Sequence, residues 1–501
     1  MRRGMWQTAG IIWRIVLKPC VLHVKDEVNV KIEGLDLDTR RKLSNKFKYD
    51  VPGARYMPAV RLGRWDGKVA FFQMGGSTYI NLLPEILTVL QSDGYDVTLN
   101  DLRDYQIDLN LEPVTADSYA EFSWPDKHPA AGQPIMLRDY QVDVINNFLT
   151  NPQSLQEVAT GAGKTLITAV LSHRCEAHGR TVIIVPNKSL VTQTEEDYIN
   201  MGLDVGVYYG DRKEFGKTHT ICTWQSLNIL LKNTKNQRAE ITIGDFLEDV
   251  VCIMVDEVHM AKADALKTLL TGVMSHIPVR WGLTGTIPKE DFEKQSLFCS
   301  IGPVTGSISA KELQDKGVLA NCEVNVLQLI DVKEYTNYQS ELKYLLEATD
   351  RLDYIGGVID NIKDTGNTLV LVDRINAGKE LQKRIPSSVF VSGGTKAQER
   401  KDHYDEVADA TGKVIIATYG VASVGINIPR IFNLVLLEPG KSFVRVIQSI
   451  GRGIRKAEDK DFVQIWDVTS TCRFAKRHLT KRKAFYKEAN YPFTVQKVDW
   501  T

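Results

Sequence analysis

The sequence predicts an α/β protein: two tandem parallel-sheet domains behind a small α+β N-terminal accessory domain. Three observations support that class. The chain has 501 residues, enough for about three cores at ~150 residues each. Two long stretches, 137–302 and 322–467, each alternate continuous apolar runs with helical patterns, as do parallel sheets covered on both faces. Ahead of them, residues 20–112 mix short β-like runs with short helix-like ones.

The elements follow in order. Arg2 and Arg3 precede an apolar patch, but Arg14 interrupts it and no small-residue cleavage site follows, so 1–19 reads as a leader and not a signal peptide. From 20 to 112, VLHVKDEVNVKI and KVAFFQM alternate with DLDTRRKLSNKF and LLPEILTVLQSDG. The polar, proline-containing stretch 113–133 reads as a linker. Residues 134–310 carry the runs TVIIVP, THTICTW, VVCIMVDE and VRWGLTGT. Residues 311–501 repeat the rhythm in TLVLVD, SVFVSG, KVIIATY, FNLVLLE and FVQIWDV before a basic tail.

Composition narrows the function classes. Lys and Arg number 62 against 62 Asp and Glu, with 43% hydrophobic residues, which excludes wholesale disorder and collagen- or mucin-like chains. No apolar run approaches the ~18 residues of a membrane span, so no membrane partner is expected. The seven cysteines stand singly, leaving neither a zinc knuckle nor a redox dithiol. They read as buried thiols in a reducing cytoplasm, as does Cys252 inside VVCIMVDE. The neutral total hides an asymmetry: between Pro439 and Asn490 there are 13 Lys and Arg against 5 Asp and Glu. A localised phosphate-binding face has that form, and so has a solvated helix surface.

Two motifs carry chemistry. In Val158-Ala-Thr-Gly-Ala-Gly-Lys-Thr165, backbone N–H groups from Thr160 to Gly163 can approach phosphate oxygens, and the dipole of the following helix favours negative charge. Gly161 and Gly163 permit the close approach, Lys164 can reach the β and γ phosphates, and the Thr165 hydroxyl can ligate Mg2+. The full P-loop pattern has Gly where this chain has Val158. Val255-Asp256-Glu257-Val258-His259 ends an apolar run, so its acids project from the C-terminal edge of a buried strand, where ligands bind in α/β sheets. Asp256 can hold the metal, and Glu257 can orient or deprotonate the attacking water. Together the motifs specify nucleotide hydrolysis.

The ordered set from about residue 137 to 468 resembles the superfamily 2 helicases, which implies two RecA-like domains and ATP as substrate. By that resemblance, Leu137-Arg-Asp-Tyr-Gln141 looks like the adenine-reading segment: Gln141 would bond the base, with Arg138 or Tyr140 packed near it. Asn187, Lys188 and Gln193, then Thr223, Trp224 and Gln225, match strand-contacting motifs of the first domain. Leu283-Thr-Gly-Thr286 looks like the segment coupling hydrolysis to closure. In the second domain Arg374, Gly393, Gly394 and Thr418 fall where nucleic-acid contacts lie, and Gly425 and Asn427 belong to the fifth motif. Gln448-Ser-Ile-Gly-Arg-Gly-Ile-Arg455 matches the sixth. Arg452 and Arg455, about one helical turn apart, would complete the site as arginine fingers. The family pattern carries Arg at Ser449 and Asp at Asn427.

A closer resemblance, over nearly the whole chain, is to phage recombination helicases, which place a small DNA-binding domain before two RecA-like domains and act on forks, Holliday junctions and R-loops. It implies branched, duplex and single-stranded DNA as partners, with RNA in R-loops, a monomer, and a cytoplasmic setting, that of the bacterial host for a phage gene. In Arg61-Leu-Gly-Arg-Trp-Asp-Gly-Lys68, Arg61, Arg64 and Lys68 offer phosphate contacts. Trp65 is open between a base-stacking and a core role, and Asp66-Gly67 reads as a turn. In the tail, Phe474, His478, Lys481 and Phe485 fall near one helical face, part of which is expected to pack, while the basic remainder is expected to grip a duplex arm by phosphate contacts without reading sequence. The alternatives are an RNA helicase, since motor motifs touch mainly backbone, a restriction-system motor, and an ATP-gated clamp. Intact Glu257 and Arg455 argue against a clamp.

Overall fold

The computed structural model describes residues 17–103, 110–124, 131–258, 263–408, 410–422, 430–442, 446, 450–451 and 459–500. Contacts gather them into two units: 1–108 with 267–277 and 289–302, and the remainder.

In the first unit, six short strands form a four-stranded sheet and a ribbon. They are β1 (Lys18–Val24), β2 (Asn29–Glu33), β3 (Lys48–Asp50), β4 (Lys68–Ala70), β5 (Ser77–Tyr79) and β6 (Tyr95–Asp101). The sheet order is β5-β2-β1-β6, with only β1 and β6 parallel, and β3 pairs β4 antiparallel. Cys20, Leu22 and Val24 alternate with half-exposed residues, so one face of β1 is buried. Helices Leu37–Lys46 and Leu83–Ser92 supply Leu43, Ile86 and Leu90 to the core. Asp36 caps the first of them by accepting the Thr39 N–H at 2.8 Å. Phe292 and Cys299 complete the same core beside Phe71 and Phe72. Two segments inside the stretch 134–310 therefore pack with the N-terminal elements. Of the leader expected at 1–19, residues 1–16 lie outside the described ones, and Lys18 and Pro19 already belong to β1.

The second unit holds two sheets. The first contains β7 (Gln153–Val158), β8 (Arg180–Val185), β9 (Val205–Tyr209), β10 (Arg212–Lys213), β11 (His219–Thr223), β12 (Val250–Val255), β13 (Val279–Thr284) and β14 (Val304–Ile308). Their order is β10-β9-β11-β8-β12-β13-β7-β14, parallel throughout except β9 with β10. The second contains β15 (Asn321–Leu329), β16 (Thr368–Val372), β17 (Ser388–Val391), β18 (Val414–Thr418), β19 (Asn433–Leu437), β20 (Phe462–Ser470) and β21 (Phe493–Val498). It is fully parallel in the order β17-β18-β16-β19-β20-β15-β21. The continuous apolar runs form buried central strands: every residue of β12, β13, β16 and β19 is buried.

Two local expectations change. The stretch 113–133 is packed and not a free linker in its described part: Val114 and Tyr119 are buried. Asn146 Oδ1 accepts the Val114 N–H at 2.8 Å, and the Tyr119 hydroxyl meets His173 Nδ1 at 2.9 Å. In the helix Arg473–Glu488 the buried residues are Ala475, Leu479, Arg482 and Tyr486; Phe474, His478 and Phe485 are half-buried and Lys481 is exposed. The reason is Arg482, a cation with its own internal partner, Asp467, at 2.8 Å.

Candidate nucleotide and nucleic-acid site

The P-loop leaves the C-terminal end of β7 and enters the helix Lys164–Cys175 through Gly161 (φ +89°) and Gly163 (φ +83°). Gly163 is required twice over: its φ is left-handed, and a Cβ there would lie 2.6 Å from Gln141 Nε2. Val158, where the pattern has Gly, is the buried last residue of β7. The glycine turn and the N-terminus of a 12-residue helix form an anion cradle.

Around it the predicted residues converge. Lys164 Nζ lies 3.1 Å from Glu257 Oε1, both groups nearly buried, and donates to the Val158 carbonyl at 3.4 Å. Asp256 follows β12; its N–H donates to the Ile184 carbonyl at 3.0 Å, and its Oδ1 accepts the Glu257 N–H at 2.9 Å. Glu257 has φ +50°, a conformation that costs a non-glycine residue energy and aims its carboxylate back toward Lys164. Its Oε2 accepts the Gly285 N–H at 3.5 Å. A Cβ at Gly285 would come within 3.1 Å of Thr160 Oγ1, so the Leu283–Thr286 segment lies against the P-loop. The Thr165 hydroxyl and Asp256 carboxylate are hard oxygen donors that suit magnesium.

Gln141 and Tyr140 reach the P-loop. Gln141 Nε2 and the Tyr140 hydroxyl both donate to the Ala162 carbonyl at 3.0 Å. Gln141 Oε1 accepts the Arg138 N–H at 3.0 Å, and Arg138 Nη1 donates to the Tyr140 hydroxyl at 3.2 Å. In this arrangement both ends of the Gln141 amide are used inside the protein, and the trio braces the phosphate loop.

The residues expected to contact nucleic acid lie at C-terminal strand ends of both sheets or in the helices that follow them. Asn187, after β8, caps the helix Lys188–Asn200 by accepting the Leu190 N–H at 3.2 Å, and Lys188 is exposed. Gln193 is half-buried. Thr223 caps the helix after β11, Trp224 is half-buried, and Gln225 Nε2 donates to the Pro186 carbonyl at 3.3 Å, tying two motifs together. Arg374, after β16, is engaged by Glu347 at 3.4 Å and Gln339 at 3.1 Å. Gly393 and Gly394 are exposed after β17, and Thr418 ends β18. Gly425, Asn427, Arg452 and Arg455 lie outside the described residues, as does His259.

In the N-terminal unit, Arg61 and Arg64 are exposed, without an ion pair among the described residues. Lys68 Nζ approaches Asp50 at 3.4 Å. Asp66 and Gly67 form the expected turn: Gly67 has φ +78°, and Asp66 Oδ1 accepts the Lys68 N–H at 3.0 Å. Trp65 is half-buried and its Nε1–H donates to the Lys68 carbonyl at 2.8 Å, bracing the loop. Sequence reasoning missed Asp197, four residues after Gln193 and so on the same helix face. Burial, then the Glu196 charge, lifts its carboxyl to about 6, and a hydrogen bond with Thr165 opposes the rise. Within the expected sixth motif, a Cβ at Gly451 would sit 3.1 Å from Thr160 Cβ, so Gly451 abuts the P-loop.

A parallel-sheet P-loop site flanked by a second parallel sheet defines a nucleotide-driven motor, and the family models agree. Residues 134–289 match the res subunit of type III restriction enzymes, and residues 350–457 match the helicase conserved C-terminal domain. The chain belongs to the superfamily 2 helicases and is an ATP-hydrolysing enzyme. It is 23% identical over 492 residues to the ATP-dependent DNA helicase uvsW of Enterobacteria phage T4, covering 94% of each chain. It is 25% identical over 377 residues to the DNA 3'-5' helicase XPB of Kineococcus radiotolerans, covering 72% of this chain and 65% of that one. The fold matches the ATP-dependent type ISP restriction-modification enzyme LlaBIII bound to DNA with a TM-score of 0.54 at 16% identity, over 83% of this chain and 34% of that one.

Proposed function

We propose that the chain is an ATP-dependent DNA helicase or translocase that unwinds or branch-migrates forks, four-way junctions and R-loops during recombination, replication-fork processing and repair. The observation that carries the reading is end-to-end similarity to the phage T4 uvsW helicase, which extends through the N-terminal unit as well as the motor. Lys164 and the P-loop N–H groups bind phosphate, Glu257 orients water, and Arg452 and Arg455 neutralise charge developing on the γ-phosphate. Thr165 and Asp256 would hold magnesium, which supplies charge neutralisation at the β and γ phosphates when bound. Arg138, Tyr140 and Gln141 fix the loop that receives the nucleotide. The strand-end residues Asn187, Lys188, Gln193, Thr223, Trp224, Gln225, Arg374, Gly393, Gly394 and Thr418 grip one strand, mainly by its backbone. Arg61, Arg64 and Lys68 add phosphate contacts from the accessory unit, residues 20–112.

The test is ATPase rate with single-stranded, duplex, forked and four-way DNA, and with matching RNA, at one stated salt concentration. Greatest stimulation by forked or four-way DNA is expected. Equal stimulation by tailed RNA would favour an RNA helicase, and binding without turnover would favour a clamp.

A further inference from the structure

The helix Arg473–Glu488 has two faces of opposite chemistry. Arg473, Lys476, Arg477, Lys481 and Lys487 are exposed on one side, and none of the five makes an ion pair among the described residues. From Arg473 to Lys487 the helix rises about 21 Å, matching roughly six phosphates along one strand of B-form DNA. No aromatic ring of this helix is fully exposed, so the face offers charge to a sugar–phosphate backbone and no platform for an unstacked base. A duplex arm fits that chemistry better than a single strand.

The other face is connected toward the P-loop. Arg482 is fully buried. Its Nε and Nη2 donate to Asp467 at 2.8 and 2.9 Å, and its Nη1 donates to the Gly440 carbonyl at 2.7 Å. Tyr486, one turn on, donates to the same Asp467 at 2.7 Å. Gly440 lies in the turn after β19. Two residues later the Ser442 carbonyl accepts the Val446 N–H at 3.1 Å, Val446 and Ile450 are buried, and Gly451 then abuts Thr160. Arg482 thus holds the beginning of a short segment whose end touches the P-loop. Only a guanidinium can serve a carboxylate with two bonds and a carbonyl with a third in this planar fork.

We propose that Arg482 is a positioning residue for ATP hydrolysis: a duplex arm on the cationic face of this helix sets, through the Arg482–Gly440 bond, how Gly451 stands against Thr160 of the P-loop. The inference rests on the helicase reading, because it needs an ATPase completed by the second sheet's domain.

The full-length protein tests it with a blunt duplex as probe. Arg482→Lys should keep duplex affinity and KM for ATP within about threefold while DNA-saturated kcat falls about tenfold. Arg477→Gln combined with Lys481→Gln should weaken duplex binding and flatten its salt dependence by about two units of slope. All three changes together should give no further loss of saturated kcat beyond Arg482→Lys, because the two sites act in series. Wild-type saturated kcat in Arg482→Lys, or an equal fractional loss with and without DNA, overturns the proposal. Should Arg482→Lys fail to fold, amide exchange on the wild type decides: duplex addition should slow exchange at Val446, Ile450 and Gly451, and unchanged exchange there overturns the proposal. A protein that hydrolyses ATP with no response to any DNA would instead fail the helicase reading.

Discussion

Lys164 and Glu257 form an ion pair 3.1 Å long and almost out of solvent, so the two must be tested by different substitutions. Lys164→Ala removes the proposed phosphate contact together with the ion pair to Glu257, and ATP turnover should disappear. Glu257→Gln keeps the volume and an oxygen for the Gly285 N–H but cannot take a proton. Nucleotide binding should stay within about threefold while kcat falls by at least ~100-fold. Equilibrium nucleotide binding and steady-state rates, measured separately, check this; near-wild-type turnover would remove Glu257 from water activation. A second buried carboxyl gives a pH prediction. Burial lifts Glu438 to about 7, against the charges of Arg351 at 2.8 Å and of Arg482; Thr469 bonds it and Asp467 adds to the rise. Between the ordinary value near 4.5 and about 7 the folded chain holds a proton that the unfolded chain has released. Stability from this group therefore falls as pH rises through that window and is level above it. Glu438→Gln should flatten that slope. Urea midpoints from pH 5 to 8 should diverge in the variant's favour up to about pH 7, and parallel curves would contradict the assignment.

At the scale of elements, the bracing of the P-loop separates two roles for Gln141. If the side chain acts by holding the Ala162 carbonyl, Gln141→Ala should raise KM for ATP and GTP by the same factor, roughly tenfold, as one buried hydrogen bond is lost. If it reads adenine, only the ATP value should rise. Competition between the two nucleotides decides between them. The strands that position this site were legible because β8, β12 and β16 are short, mainly apolar runs that lead into motif residues, as strands covered on both faces do. Strand β13 follows the pattern only in part, because Arg280 is buried within it. Other features escaped the pattern for physical reasons. Arg482 counts as a surface residue until Asp467 is seen beside it, which is enough to move the buried stripe of the last helix onto the neighbouring face. Tyr119 and Val114 are two apolar anchors in a polar stretch, too few to signal packing by periodicity. The approach of Gly285 and Gly451 to Thr160 joins residues far apart in sequence, and spacing carries no trace of it.

At the scale of the whole molecule, the N-terminal unit bears on how substrate choice is tested. Its core includes Phe292 and Cys299, and Lys267 Nζ stands 4.0 Å over the Phe71 ring. The Asn29 side chain donates to the Thr271 carbonyl at 2.9 Å, and Ser275 donates to Asp26 at 2.8 Å. A chain beginning near Gln133 would lose all of these partners at once and expose Phe292. Since one Phe burial is worth about 2 kcal/mol, such a truncation should lower Tm by at least about 2 °C and favour aggregation. Lost branch preference in it would then say nothing about recognition. Surface substitutions avoid the difficulty. Arg61 and Arg64 are exposed and without ion pairs among the described residues, so Arg61→Ala with Arg64→Ala should leave Tm unchanged. If they contact phosphates, affinity for four-way DNA should fall for all sequences alike, and the slope of log affinity against log salt should drop by about two. Trp65→Ala is expected to act differently, because the indole N–H holds the Lys68 carbonyl at the end of the same loop. Loosening that loop should weaken junction binding without changing the salt slope. Fork and junction affinities of the double arginine variant that match the wild type across a salt series would exclude this loop as a phosphate contact and shift the search to the cationic face of the last helix.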